Sequence, residues 1–227
     1  MSQHYSYNRS NKTYTSKRRK KNILARFLCL IGAILVIVAG SLLIKALKNG
    51  NSEGSVTAMS LTRSFEQPDI KAALLDPNPY SRPQKKLTQV NGVVIHYVGN
   101  PGTTAKANRN YFNNLAKTKA TYASSHFVID LDGTILQCIP LDEISYTSND
   151  RNNDTVSIEV CHPDETGEFT KESYNALVSL TRWLCSKYNL NSDDVIRHYD
   201  VTGKLCPLYY VEHEDAWLAF KKEVFSK

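Results

Sequence analysis

Hydrophobic and polar positions divide the chain into regions of different character. Residues 27–44, FLCLIGAILVIVAGSLLI, form an apolar run without charge or proline. At 1.5 Å rise per residue such a helix extends about 27 Å, close to the hydrocarbon thickness of a bilayer. A buried core helix keeps a polar stripe, whereas this run is apolar all round. The pattern therefore predicts a transmembrane helix over 23–44. Residues 1–22 are rich in Ser, Asn, Tyr and Lys without apolar period, the composition of a disordered tail. Residues 45–69 are polar and small, as in a linker. Periodic patterning starts at about residue 70.

From there the period changes repeatedly between strand-like and helix-like. VVIHYV (93–98) is β-branched and aromatic on both faces, which predicts a strand buried on each side. TTAKANRNYFNNLA (103–116) opens with threonines suited to capping a helix. SHFVIDLDGTILQCIP (125–140) reads as two strands around an Asp-Gly turn, and TVSIEV (155–160) alternates as a further strand. Behind Thr170, a candidate N-cap, Tyr174, Leu177, Val178, Thr181, Leu184, Cys185 and Tyr188 recur at helical spacing. DVIRH (194–198) predicts a short strand, and EDAWLAFKKEVF (214–225) a last helix with Trp217 and Phe220 inward. The sum is an α/β fold: a single domain over 70–227, with a central mixed β-sheet flanked by helices.

Charge sharpens the division. The formal net charge is +6, yet Arg9, Lys12, Lys17, Arg18, Arg19, Lys20, Lys21 and Arg26 all precede the apolar run and no acid accompanies them. Beyond residue 50 the chain carries 18 basic and 22 acidic groups. The folded part is thus acidic, which argues against nucleic acid as a partner. The basic cluster predicts a cytoplasmic N-terminus at the cell membrane and an extracytoplasmic domain. VAGS (38–41) also offers small residues to a signal peptidase, but the long basic region and long apolar run favour an uncleaved single-pass anchor. Either way the domain is exported.

Candidate chemistry lies in that domain. His96 sits inside a buried apolar strand, where its ring nitrogens need partners. His198 and Cys206 are eight residues apart, enough for a loop to return both to one ion. Three protein ligands with a free fourth position is the arrangement of hydrolytic zinc sites. The spacing matches no compact zinc signature, and the same residues also read as a core histidine, a loop histidine and a free thiol. Lys204 stands two residues from the thiol, where it would face a developing oxyanion. Glu159 faces away from Val156, Ile158 and Val160 and would suit a general base if its face lines the metal pocket.

Together these segments carry a resemblance. VVIHYVGNPG, SSHFVIDLDGTILQCIP, VSIEVCHPDETGEFT and RHYDVTGKLCP follow the order and spacing of the zinc-dependent N-acetylmuramoyl-L-alanine amidases, the superfamily that includes phage T7 lysozyme and the peptidoglycan recognition proteins. NPYSRP (78–83) resembles the lead-in of the bacterial and phage branch. The resemblance implies Zn2+ held by His96, His198 and Cys206, with Glu159 as catalytic base and Lys204 stabilising the transition state. It implies peptidoglycan as substrate and hydrolysis of the amide between N-acetylmuramic acid and L-alanine. Ser125 departs from members with a catalytic tyrosine there, and Thr147 from those with histidine. A non-catalytic peptidoglycan-binding module, or a zinc peptidase acting within the stem peptide, are the competing expectations.

The other candidates read as structural or peripheral. Asp200 is expected to cap its loop rather than support a histidine ligand, and His126 to pack or touch substrate. His162 is expected at the pocket rim, Tyr97 and Asn100 along the cleft, and His213 and His4 on the surface. Cys138, Cys161 and Cys185 are an odd number in an exported domain. Cys185 is expected as a buried thiol, and a Cys138–Cys161 bridge stays open. A monomer is expected.

Overall fold

Strands β1 (Ile70–Ala72), β2 (Gly92–Tyr97), β3 (Phe127–Ile129), β4 (Ile135–Gln137), β5 (Thr155–Val160) and β6 (Val195–Arg197) join in one sheet of order β1-β4-β3-β5-β2-β6. The computed structural model describes residues 65–226. The expected tail, the apolar run at 27–44, Cys29 and most of the linker lie outside the described residues. Among the described residues no helix is long and apolar enough to cross a membrane. The sheet is mixed, as expected: β3 and β4 are antiparallel, and every other pair is parallel.

Its helices are α1 (Ala105–Thr118), α2 (Lys171–Tyr188), α3 (His198–Thr202), α4 (Leu208–Glu212) and α5 (Glu214–Val224). Both predicted caps form. Thr104 Oγ1 accepts from the Ala107 amide at 3.2 Å and Thr170 Oγ1 from the Ser173 amide at 3.1 Å. Each is worth about 1 kcal/mol to its helix.

Alternation along the strands sorts side chains into two layers. Val93 and Ile95 of β2, Phe127 and Ile129 of β3, and Val156, Ile158 and Val160 of β5 enter one core. Leu177, Leu180 and Leu184 of α2 and Trp217 and Phe220 of α5 close it. The opposite face holds a smaller core, in which Val128 meets Ala105 and Phe112 of α1. His96 and Glu159 belong to this second face, as direct register partners in the parallel β2–β5 pair. The sheet therefore sets the metal candidate and the base candidate side by side.

Two elements differ from the expected pattern. His198 was expected at the end of a strand but is the first residue of α3. Neither α3 nor α4 is foreshadowed by periodicity, because five residues are too few to show one.

Candidate metal centre

β2 presents His96 near its C-terminal end, and the adjacent strand β6 delivers His198 just beyond its own end. Gly203, at φ 77°, ends α3 in the left-handed region that glycine enters freely. The turn sends the chain back, and the Tyr199 amide donates to the Cys206 carbonyl at 2.9 Å. That closure brings His198 and Cys206 together. Arg197 holds the base of this loop: its guanidinium pairs with Asp200 at 2.9 Å and Glu214 at 2.6 Å and donates to the Tyr210 carbonyl at 2.8 Å. Asp200 also accepts from the Arg197 amide at 2.8 Å, so it caps the loop, as expected.

The result is a cluster of His96, His198 and Cys206 with one donor atom from each, all within 4.8 Å of one another and all three residues buried. His96 Nδ1 lies 3.7 Å from Cys206 Sγ. Two ligands of a tetrahedral zinc ion, one nitrogen and one sulfur, stand about 3.6 Å apart. The outer nitrogens are occupied. His198 Nε2 donates to Asn149 Oδ1 at 2.9 Å, and His96 Nε2 meets Ser148 Oγ at 3.0 Å. Both partners stand at the start of a 3-10 turn over Asn149–Asn153. Asn152 Oδ1 steadies that turn by accepting from the Thr147 and Ser148 amides. With Nε2 engaged on each ring, Nδ1 is left to face an ion.

Burial governs the electrostatics. It lowers His96 well below the usual histidine value, with positive charge from His198 and Lys204 adding to the effect. His198 is lowered by burial and Lys204. Both rings are therefore neutral donors at pH 7. Burial and the Glu159 charge push the Cys206 thiol up to about 12, against the Tyr97 amide and Lys204. A thiolate there needs a cation beside it. The donor set of two neutral imidazoles and one thiol thus suits zinc.

Glu159 completes the arrangement. Burial pushes its carboxyl up to about 8, with Lys204 pulling the other way. Its Oε2 is buried without a hydrogen-bond partner. Glu159, Lys204, Tyr97 and Thr147 line one cleft of about 430 Å3 with the three metal candidates. Asn100 instead lines an adjoining cavity of about 340 Å3 beside α1, which Glu159 also borders.

The remaining candidates fall into place. His126 packs inside the domain, its Nε2–H donating to the Glu143 carbonyl at 2.9 Å and its Nδ1 accepting from the Ser157 amide at 3.1 Å. Ser125 donates to the Ser157 carbonyl at 3.1 Å. His162 is not at the rim: it is buried, its ring 5.0 Å from that of Tyr97. His213 is exposed, as expected. Cys138, Cys161 and Cys185 are free buried thiols, so the Cys138–Cys161 bridge does not form. Ser148 and Asn149 escaped the sequence reading. Asn149 adopts φ 52°, a left-handed conformation that asparagine tolerates better than most residues, which was the local signal available.

Comparison with known proteins places the chain in a family. A family model described as N-acetylmuramoyl-L-alanine amidase matches residues 86–208, more than half of the chain. A probable N-acetylmuramoyl-L-alanine amidase of Bacillus licheniformis is 35% identical over 161 residues, covering 66% of this chain and 45% of the relative. The N-acetylmuramoyl-L-alanine amidase CwlL of the same species is 32% identical over 162 residues, covering 66% and 44%. The chain thus spans less than half the length of these curated relatives. The solved structure of PlyL superposes with a TM-score of 0.60 at 25% identity, covering 70% of this chain and 98% of that one. The chain belongs to the N-acetylmuramoyl-L-alanine amidase family.

Proposed function

We propose that this chain is a zinc-dependent hydrolase that cuts the amide between the lactyl group of N-acetylmuramic acid and L-alanine in peptidoglycan. One observation carries the reading. The donor atoms of His96, His198 and Cys206 converge within 4.8 Å in the same cleft as a buried carboxylate oxygen that has no partner. The names of the relatives support the bond and the substrate.

His96 and His198 would hold zinc through Nδ1, with Ser148 and Asn149 fixing the rings, and Cys206 would hold it as thiolate. When bound, the ion supplies Lewis acidity, polarising the amide carbonyl and making solvent nucleophilic near neutral pH. Glu159 takes the proton of the attacking water. Its pKa of about 8 without the ion would be lowered by added positive charge, which favours the carboxylate form that accepts a proton. The proton then goes to the leaving amine of L-alanine as the C–N bond breaks. Lys204 lines the cleft and faces the oxyanion as the carbonyl carbon becomes tetrahedral.

The apolar run at 27–44 would anchor the chain as a single pass with the basic tail in the cytoplasm, and the linker would let a monomeric domain reach the wall. The test incubates the full-length chain with purified peptidoglycan, with and without chelator, and identifies the new termini. Chelator-sensitive release of L-alanine amines is expected. Other new amines would indicate a peptidase, and binding without cleavage a recognition module; either removes the proposal.

A further inference from the structure

The lead-in segment NPYSRP has no part in the chemistry above, yet it builds one wall of a groove that shares residues with the metal cleft. This groove, about 610 Å3, is bounded by Pro77, Pro79 and Pro83, by Lys85, and by Tyr122 and Tyr146. Tyr122 and Tyr146 line the metal cleft as well, so the two spaces share these walls. Two aromatic rings face it, and a third, Tyr80, backs one of them. Tyr80 stacks on Tyr122 with centroids 5.1 Å apart, and Tyr146 meets Tyr122 edge-on at 5.6 Å. Tyr122 is nevertheless 61% exposed, because only one face is covered by Tyr80.

The platform is held in place before any ligand arrives. The Ala123 amide donates to the Tyr80 carbonyl at 3.1 Å, and the Ser124 amide to the Tyr146 carbonyl at 3.1 Å. Asn78 Oδ1 accepts from the Tyr80 and Ser81 amides, each at 2.9 Å. Arg82 is satisfied by a two-pronged pair with Glu143 at 2.9 and 2.7 Å and by the Leu75 carbonyl at 2.8 Å. The arginine therefore braces the wall instead of offering a free charge to an anion. A fixed, exposed aromatic face beside the polar side chains of Gln84 and Lys85 suits a pyranose, whose apolar C–H face packs on a ring while its hydroxyls bond at the edges.

Position decides which half of the substrate belongs here, on the proposed reading of the site. Glu159 returns a proton to the leaving amine, so it stands on the peptide side of the scissile bond. It borders the 340 Å3 cavity beside α1, lined with Asn100, Thr103 and Asn108, and does not border the tyrosine groove. Amide and hydroxyl side chains match a peptide backbone. The acyl side of the bond, which carries the sugar chain, is then left to the part of the cleft lined by Tyr122, which does not border that cavity.

We propose that the Tyr80–Tyr122–Tyr146 platform is a glycan subsite that binds the sugars flanking the reacting N-acetylmuramic acid. The test uses the full-length chain with two probes, neither of which requires turnover. One is a peptide-free tetrasaccharide of alternating N-acetylglucosamine and N-acetylmuramic acid; the other is the free stem tetrapeptide. NMR titration is expected to show binding of both by the unaltered chain. Tyr122→Ala should weaken the tetrasaccharide at least tenfold and leave the tetrapeptide within twofold, the latter also reporting an intact fold. Tyr122→Phe, which keeps the ring, should restore tetrasaccharide binding to within threefold of the unaltered chain. Absence of tetrasaccharide binding, equal weakening of both probes, no weakening of either, or failure of the phenylalanine to restore binding overturns the proposal. Absence of L-alanine amine release, by contrast, removes the amidase reading and leaves the sugar measurement intact.

Discussion

Glu159→Gln replaces a buried titratable group by a neutral isostere, and its effect on metal-free stability has a sign and size that follow from burial. In the folded chain the carboxyl is pushed up to about 8 from an ordinary value of 4.5. Below pH 4.5 the folded and unfolded chains both carry the proton, and the group adds no pH dependence. Between the two values the unfolded chain has lost the proton that the folded chain keeps. Stability then falls as pH rises, by about 1.4 kcal/mol per unit, and levels off above the folded value. From pH 5 to pH 7.5 the loss is about 3 kcal/mol. Glutamine loses nothing over that range, whatever its constant offset. The lowered histidines His96 and His198 act in the opposite direction, adding stability as the unfolded rings deprotonate. They are present in both proteins and largely cancel in the difference. Urea denaturation of chelator-treated protein at the two pH values measures it. The stability of Glu159→Gln relative to the unaltered chain should improve by about 3 kcal/mol from pH 5 to 7.5, a midpoint shift on the order of 1–2 M urea. Added zinc should shrink that gain by favouring the carboxylate. A difference that stays constant between the two pH values would refute the buried neutral carboxyl.

Other substitutions separate ligand, support and charge. Cys206→Ala should leave the protein without stoichiometric zinc after dialysis and without measurable turnover, checked by metal analysis and the peptidoglycan assay. Ser148→Ala and Asn149→Ala should each weaken zinc about 10- to 100-fold in competition with a chelator while leaving the fold intact, since they remove the partners of His96 Nε2 and His198 Nε2. Lys204→Ala should reduce kcat about a hundredfold, roughly 3 kcal/mol, with a small change in KM. Loss confined to KM would remove Lys204 from oxyanion stabilisation.

Much of this arrangement was legible because it depends on period. Alternation in TVSIEV put Glu159 on a face apart from Val156, Ile158 and Val160, and the sheet keeps it there, opposite His96. Thr104 and Thr170 were readable as caps because their side chains act within three residues. The convergence of His96 with Cys206, 110 residues later, was proposed from donor chemistry and resemblance, since no local rule reaches so far. Ser148 and Asn149 were missed because their role depends on tertiary placement of a polar turn with no hydropathy signature. His162 was expected at the pocket rim, yet it is buried with the ring of Tyr97 5.0 Å from its own, a tertiary contact that no local pattern announces.

The pairing of His96 with Glu159 as neighbours in a parallel register joins their fates. A slip of one residue between those strands would turn one of the two toward the hydrophobic layer. The same slip would also turn that strand's valines and isoleucines out of the core, so the fold does not survive it. Descendants of this chain that abandon turnover but keep the fold must get there by exchanging individual side chains, and their lost residues should still mark where the old pair stood.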